Sequence, residues 1–171
     1  DDWGIFAQRV DSGSTPQGIE LAVNTTSTGI QENPSVAVDN AGNFIIAWNG
    51  NGVGDSDGVF ARRFDSSGNP LGPEFLVNTY TLDTQRRAKV AADSLGNFVI
   101  TWESQGQDGS NYGIYAQRFD SNGIFQGSEF QINDTTAQEQ QMSAVAMDNN
   151  GNFNVTWASD SSGNFDIMAK R

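Results

Sequence analysis

The 171-residue chain repeats itself, and the repeat limits the fold more than any other feature, because each copy must find an equivalent environment. The block PSVAVDNAGNFIIAW (34–48) recurs as AKVAADSLGNFVITW (88–102) and SAVAMDNNGNFNVTW (143–157), at offsets of 54 and then 55 residues. A second block, GVFARRFD (58–65), recurs as GIYAQRFD (113–120), appears earlier as GIFAQRVD (4–11), and closes the sequence as DIMAKR (166–171). A third, EFLVN (74–78), has counterparts in ELAVN (20–24) and EFQIN (129–133).

Each unit predicts four short strands: A from the VAVD block, B from NFIIAW, C from VFARRFD and D from EFLVN. Apolar residues come in runs of strand length, separated by Gly, Asn, Asp and Ser. Alternation in B places Phe44, Ile46 and Trp48 on one face and Ile45 and Ala47 on the other, so B is expected to be buried on both sides. Strand C alternates apolar with Arg, which predicts a strand nearer the outside. The A–B turns Asp39–Gly42, Asp93–Gly96 and Asp148–Gly151, and the C–D turns Asp65–Gly68 and Asp120–Gly123, share one chemistry. Asp accepts backbone N–H groups and Gly takes the left-handed position that closes the turn.

The fold class expected is therefore all-β, with tandem four-stranded antiparallel blades resembling a β-propeller; a stacked sandwich or solenoid array is the alternative. The repeat divides the single domain into strands C and D (1–28), blade 1 (29–82), blade 2 (83–137), and strands A, B and C of blade 3 (138–171). That makes thirteen strands, with incomplete blades at both ends. Unpaired edges and apolar faces there predict contacts with other copies, head to tail or as a ring of subunits; a fragment of a longer array is the alternative.

Lys and Arg number 9 against 21 Asp and Glu, a net charge of −12. Such a surface repels phosphate backbones and anionic bilayers, so nucleic acid and membrane insertion are not expected. The chain has no Cys and no His, which removes disulfides, Cys/His zinc sites and triads built on His. The opening residues DDWGIF lack signal-peptide character, so an exported form is expected to have lost its targeting segment already.

The stretch FVITWESQGQDGSNYGIYAQRFDSNG (98–123), followed by EFQIN, resembles tandem repeats of very large secreted or surface proteins of bacteria, cyanobacteria and proteobacteria among them. The resemblance covers nearly the whole chain. It implies an extracellular or cell-surface location and an adhesive or structural role, and it brings no catalytic residue. The last unit, SDSSGNFDIMAKR, departs from the pattern by lacking the DG pair and the aromatic of strand C.

Several recurring positions are candidate sites. Trp48, Trp102 and Trp157 end strand B equivalently and read either as core or as sugar platforms of a lectin-like propeller. Arg9, Arg63, Arg118 and Arg171 share one position of strand C, where a ladder to Glu20, Glu74 and Glu129 or to the turn aspartates is expected. Gln31, Gln85 and Gln140 precede strand A and are expected to bond loop backbone between blades. The B–C loops collect Asp55, Asp57 and Asp108, which makes calcium the one candidate metal, although the spacing favours a turn. Asn24-Thr-Thr and Asn133-Asp-Thr match the glycosylation sequon. Glu103 is the only Glu beside the end of a B strand, and without a second carboxylate it does not predict catalysis. The protein is thus expected to be no enzyme, to need no cofactor, and to meet copies of itself or surface glycans.

Overall fold

The computed structural model describes residues 3–160 and 163–171; Asp1, Asp2 and, in the third B–C loop, Ser161 and Ser162 lie outside the described residues. Strands β1 (Phe6–Ala7) and β2 (Leu21–Ala22) form a two-stranded sheet. A four-stranded meander follows: β3 (Gln31–Val38), β4 (Phe44–Gly52), β5 (Asp55–Phe64) and β6 (Phe75–Leu76). The second meander is β7 (Gln85–Ala92), β8 (Phe98–Gln105), β9 (Tyr112–Phe119) and β10 (Phe130–Gln131). The last sheet has three strands, β11 (Gln140–Met147), β12 (Phe153–Asp160) and β13 (Phe165–Lys170). Every pair of neighbours is antiparallel and in the same register from sheet to sheet: Ala47 lies opposite Ala61, Thr101 opposite Ala116 and Thr156 opposite Ala169.

The sheets stack face to face in chain order, with the first strands β3, β7 and β11 side by side. The architecture is all-β and propeller-like, as an array of blades that does not close into a ring. Three apolar layers hold it together. Ile5 and Val23 of the first sheet meet Ile46, Trp48, Phe60 and Phe64. Ile45, Ala47, Val59 and Ala61 meet Val90, Phe98, Ile100 and Trp102. Val99, Ile114 and Ala116 meet Val155 and Trp157. Phe44, Ile46 and Trp48 thus look back along the chain while Ile45 and Ala47 look forward, so two-sided burial of strand B follows from its alternating faces.

The turns form by the expected chemistry. Asp39 Oδ1 accepts the N–H groups of Ala41 and Asn43 at 2.8 and 2.9 Å, and Gly42 sits at φ 83°. The same cage recurs at Asp65, Asp93, Asp120 and Asp148. At Asp65 and Asp148 such bonds favour the carboxylate form. The Asn69 side chain leads in holding Asp65 below the usual carboxylate range, and Asn152 does so for Asp148.

Two features depart from expectation. In the two four-stranded sheets strand C lies inside, since β5 and β9 bury Val59, Phe60, Ala61 and Ile114 to Gln117, whereas β13 is exposed as expected. Two of its polar side chains are turned from solvent by backbone carbonyls: Arg62 Nη1 donates to Val23 O of the preceding sheet at 2.9 Å, and Gln117 Nε2 donates to Gly127 O at 3.1 Å, while Arg118 stays exposed. Second, each first strand carries a bulge two residues after its Gln. Asn33, Arg87 and Met142 sit there at φ 54°, 54° and 56°, where the β3–β4, β7–β8 and β11–β12 registers shift.

Candidate functional site

The structure concentrates its recurring polar side chains at the junctions between sheets. At the second junction Asn78 Oδ1 accepts the buried Val59 N–H at 2.8 Å, while Nδ2 donates to Tyr80 O at 2.9 Å and Gln85 Oε1 at 3.2 Å. Gln85 Nε2 in turn donates to Leu82 O at 2.8 Å. The first junction repeats this with Asn24 and Gln31, and the third with Asn133 and Gln140. A clasp of one Asn and one Gln, seven residues apart, thus ties the outer part of one blade to the inner strand of the next. The Gln positions do what was expected of them. Asn24 and Asn133 do not serve as sequons here, because each amide nitrogen is committed to a linker carbonyl and the Gln.

The residues after Trp48 and Trp102 make a second tie. Asn49 Oδ1 accepts the Arg87 N–H at 2.9 Å and Glu103 Oε1 accepts the Met142 N–H at 2.7 Å, so both capture the bulge amide of the following blade. Glu103 is fully buried and is also held by Arg86 Nε at 2.8 Å and Arg87 Nη1 at 3.2 Å. Arg86 lies over the Tyr112 ring, 3.7 Å from its centre. Both oxygens of Glu103 are therefore occupied, and Arg86 Nη2 also lies 3.7 Å from Glu139 Oε1.

Two further hooks have a direction. Glu74 reaches back to the linker before its own blade, accepting from Thr25 N at 2.6 Å, Thr26 N at 3.1 Å and Thr26 Oγ1 at 2.5 Å. Burial opposes its charge, but the bonds from Thr26 and Thr25 outweigh that and hold Glu74 below the usual carboxylate range. Glu129 repeats the reach to Thr79 N at 2.6 Å. In the opposite sense, Arg9 Nη1 donates to Ser66 O and Arg63 Nη1 to Asn122 O, both in the C–D turn of the following blade. The expected ladder of Arg on carboxylates is thereby corrected. Arg9 and Arg63 take turn carbonyls, while Glu74 and Glu129 accept from linker amides. Arg118 and Arg171 make no such bond among the described residues.

Trp48, Trp102 and Trp157 are buried between sheets and offer no face to a sugar. Asp55 is engaged by Asn78 Nδ2 at 2.9 Å and by the Asp57 N–H at 3.1 Å, Asp57 by Thr84 Oγ1 at 2.7 Å, and Asp108 by Gln131 Nε2 at 2.8 Å. Among the described residues no three acidic groups converge on a point that would hold a cation.

Sequence reasoning missed two surface features. Clefts of about 310 and 240 Å³ open at equivalent places between successive blades. Asp39, Asn43, Arg63 and Phe64 line the first, and Asp93, Asn97, Arg118 and Phe119 the second. At the first sheet the groove is larger, about 680 Å³, and apolar, with Phe6, Val36 and Val38 in its walls. Val36 is 64% exposed there, whereas its equivalent Val90 is 7% exposed at the next junction. The repeat offsets alone align Val36 with Val90, but only the stacking order shows that one is covered and the other open.

No family model matches the chain, and no curated protein matches it. Among solved structures it is similar to an endo-arabinase from Bacteroides thetaiotaomicron VPI-5482, at 17% identity and a TM-score of 0.48, over 95% of this chain and 63% of that one. The chain therefore spans less than two thirds of that structure's length.

Proposed function

We propose that the protein is a non-catalytic structural or adhesive repeat protein of the cell surface or extracellular space, which assembles with other copies of itself through its terminal sheets. The observation that carries this is the open groove at the first sheet. Val36, Val38 and Phe6 are exposed where their equivalents Val90, Ala92 and Phe60 are covered by a neighbouring sheet. Covering an exposed Val side chain contributes on the order of 1.5 kcal/mol, so the groove favours a partner that presents the face of a further blade. The extracellular placement rests on the repeat resemblance. The occupied state of Glu103 supports the non-catalytic reading.

Sedimentation at micromolar concentration tests the proposal. A particle of two or more chains is expected, with filaments visible by electron microscopy if contacts propagate without closing. A stable monomer across the accessible concentration range refutes it.

A second reading, carbohydrate binding, draws on the repeated clefts rather than on the tryptophans. Two equivalent clefts with Asp, Asn, Arg and an aromatic at matching positions offer the mixed polar and apolar surface that sugars use. A glycan array supports it only if binding is lost on Arg63→Ala together with Arg118→Ala.

A further inference from the structure

Blade 1 carries an open pocket at a place that blade 2 fills with its own side chains. The opening, about 540 Å³, lies between the outer strand of blade 1 and the linker before that blade. Thr25, Thr26, Val53, Phe60, Glu74 and Leu76 line it. Phe60 and Leu76 are neighbours across β5 and β6, and Val53, at the tip of the β4–β5 hairpin, stands 84% exposed at the rim. The walls are thus apolar, and the polar end is one carboxylate with the linker that holds it.

The repeat puts Tyr80, Tyr115, Glu129 and Gln131 of blade 2 where blade 1 has Thr26, Phe60, Glu74 and Leu76. There the longer loop between β8 and β9 reaches the outer strand. Gln107 Nε2 donates to Glu129 Oε1 at 2.7 Å, and Gln131 Nε2 donates to Asp108 Oδ2 at 2.8 Å. The Tyr115 hydroxyl adds to the filling, with Asp108, Glu129 and Tyr80 around it. Blade 2 therefore answers its carboxylate with a side-chain N–H carried in by the loop. Blade 1 cannot, because its hairpin turns through Val53 and Gly54, and neither has a polar side chain.

Glu74 keeps room for such a donor. Its Oε1 accepts from Thr26 N and Thr26 Oγ1, whereas Oε2 accepts from Thr25 N alone, and a carboxylate oxygen has two lone pairs. Among the described residues no Lys or Arg forms an ion pair with it. In a chain of net charge −12, a donor that also brings positive charge is favoured over a neutral one. We propose that this pocket receives a lysine side chain of a partner protein, its methylenes against Phe60, Leu76 and Val53 and its ammonium on Glu74 Oε2. A lysine stem covers apolar surface while its head stays at the polar end. Lysine suits the site better than arginine, since one acceptor position is open and a guanidinium fork is matched to two. The site lies within one blade and the linker before it, so it stands whether or not copies of the chain assemble.

Titration with Nα-acetyl-lysine methylamide at low salt, read by NMR, tests this. Saturable shifts are expected at the Val53 and Leu76 methyls and at the Thr25 and Thr26 amides. The norleucine analogue, which keeps the stem and lacks the charge, is expected to bind about tenfold more weakly, and Glu74→Gln to weaken the lysine probe by about the same factor. Leu76→Gln, which installs the residue that blade 2 has as Gln131, should also weaken binding at unchanged far-UV circular dichroism, and it carries the test where Glu74→Gln disturbs the linker. Equal binding of the norleucine analogue refutes the proposal. Tighter binding of the matching tyrosine derivative refutes it too, because the pocket would then be a seat for a ring such as Tyr80 supplies in blade 2. Shifts spread over Asp57 and Asp134 and insensitive to Leu76→Gln would show charge screening alone and overturn the site.

Discussion

Asn78→Ala should be among the most damaging single changes in the molecule, and its cost can be worked out from the bonds it removes. The side chain is buried and makes four bonds: from Val59 N–H at 2.8 Å, and to Asp55 Oδ2, Tyr80 O and Gln85 Oε1 at 2.9, 2.9 and 3.2 Å. Truncation leaves the Val59 N–H and Gln85 Oε1 without a partner in places water does not reach, since both residues are fully buried. Each orphaned buried group costs about 1–3 kcal/mol, so the sum over the two is about 2–6 kcal/mol. Asp55 and Tyr80 can turn to solvent and add little. Asn24→Ala, at the partly exposed first junction, should cost about half as much. Urea unfolding followed by tryptophan fluorescence measures the difference, because Trp48 and Trp102 lie in the layers on either side of blade 1. A loss below about 1 kcal/mol for Asn78→Ala, at unchanged m-value, would show that the clasp is replaceable by water and that the junction argument is wrong.

Met142→Gly should stabilise the chain by about 0.5–1 kcal/mol, since relief of the left-handed conformation exceeds the added unfolded-state entropy; a lower melting temperature would contradict this. Because Glu74 is held below its unfolded value, its contribution to stability is fully present above the ordinary carboxylate pKa of about 4.3 and is lost as pH falls through the lower folded value. Glu74→Gln should flatten the acid limb of a melting-temperature profile below pH about 4, and an unchanged limb counts against the hook. Tyr115 is pushed up to about 12 by burial and by the charges of Asp108 and Glu129. Its neutral form is thus favoured in the fold, and stability is lost as pH rises from the ordinary tyrosine value of about 10 through that higher value. Absorbance titration should show one of the three tyrosines ionising late, and Tyr115→Phe should remove that step.

The blades and their turns were legible in the sequence because both depend on neighbours within one unit. Alternation in Phe44 to Trp48 needs only the pleat, and the cage around Asp39 spans five residues. The junctions were not legible for the opposite reason. Asn49 and Glu103 perform one task, capturing a bulge amide 38 or 39 residues further on, yet they differ in type and so look like a broken repeat. Glu74 was visible as a recurring carboxylate, but its partners are backbone N–H groups, which carry no residue signature. Asn24 and Asn133 matched a sequon by the accident that their linkers carry Thr, while the clasp that explains them needs the Gln seven residues on. Burial of strand C was hidden because Arg62 and Gln117 satisfy their polar ends along the sheet, so that polarity in the sequence did not mean exposure.

The direction of the hooks bears on how such an array ends. Glutamate reaches backward along the chain and arginine forward, so every junction has distinct donor and acceptor sides, and the two ends of the stack cannot be alike. The difference also shows in the faces. The first carries Val36 and Val38 in the open, while the last presents Asn154 and Thr156. Under the proposed assembly, contacts between copies that keep this direction are head to tail, and a head-to-tail contact closes into a ring or grows without limit. Which of these occurs depends on the rotation between successive blades, a property of the inner junctions and thus of the Asn–Gln clasps rather than of the seam itself.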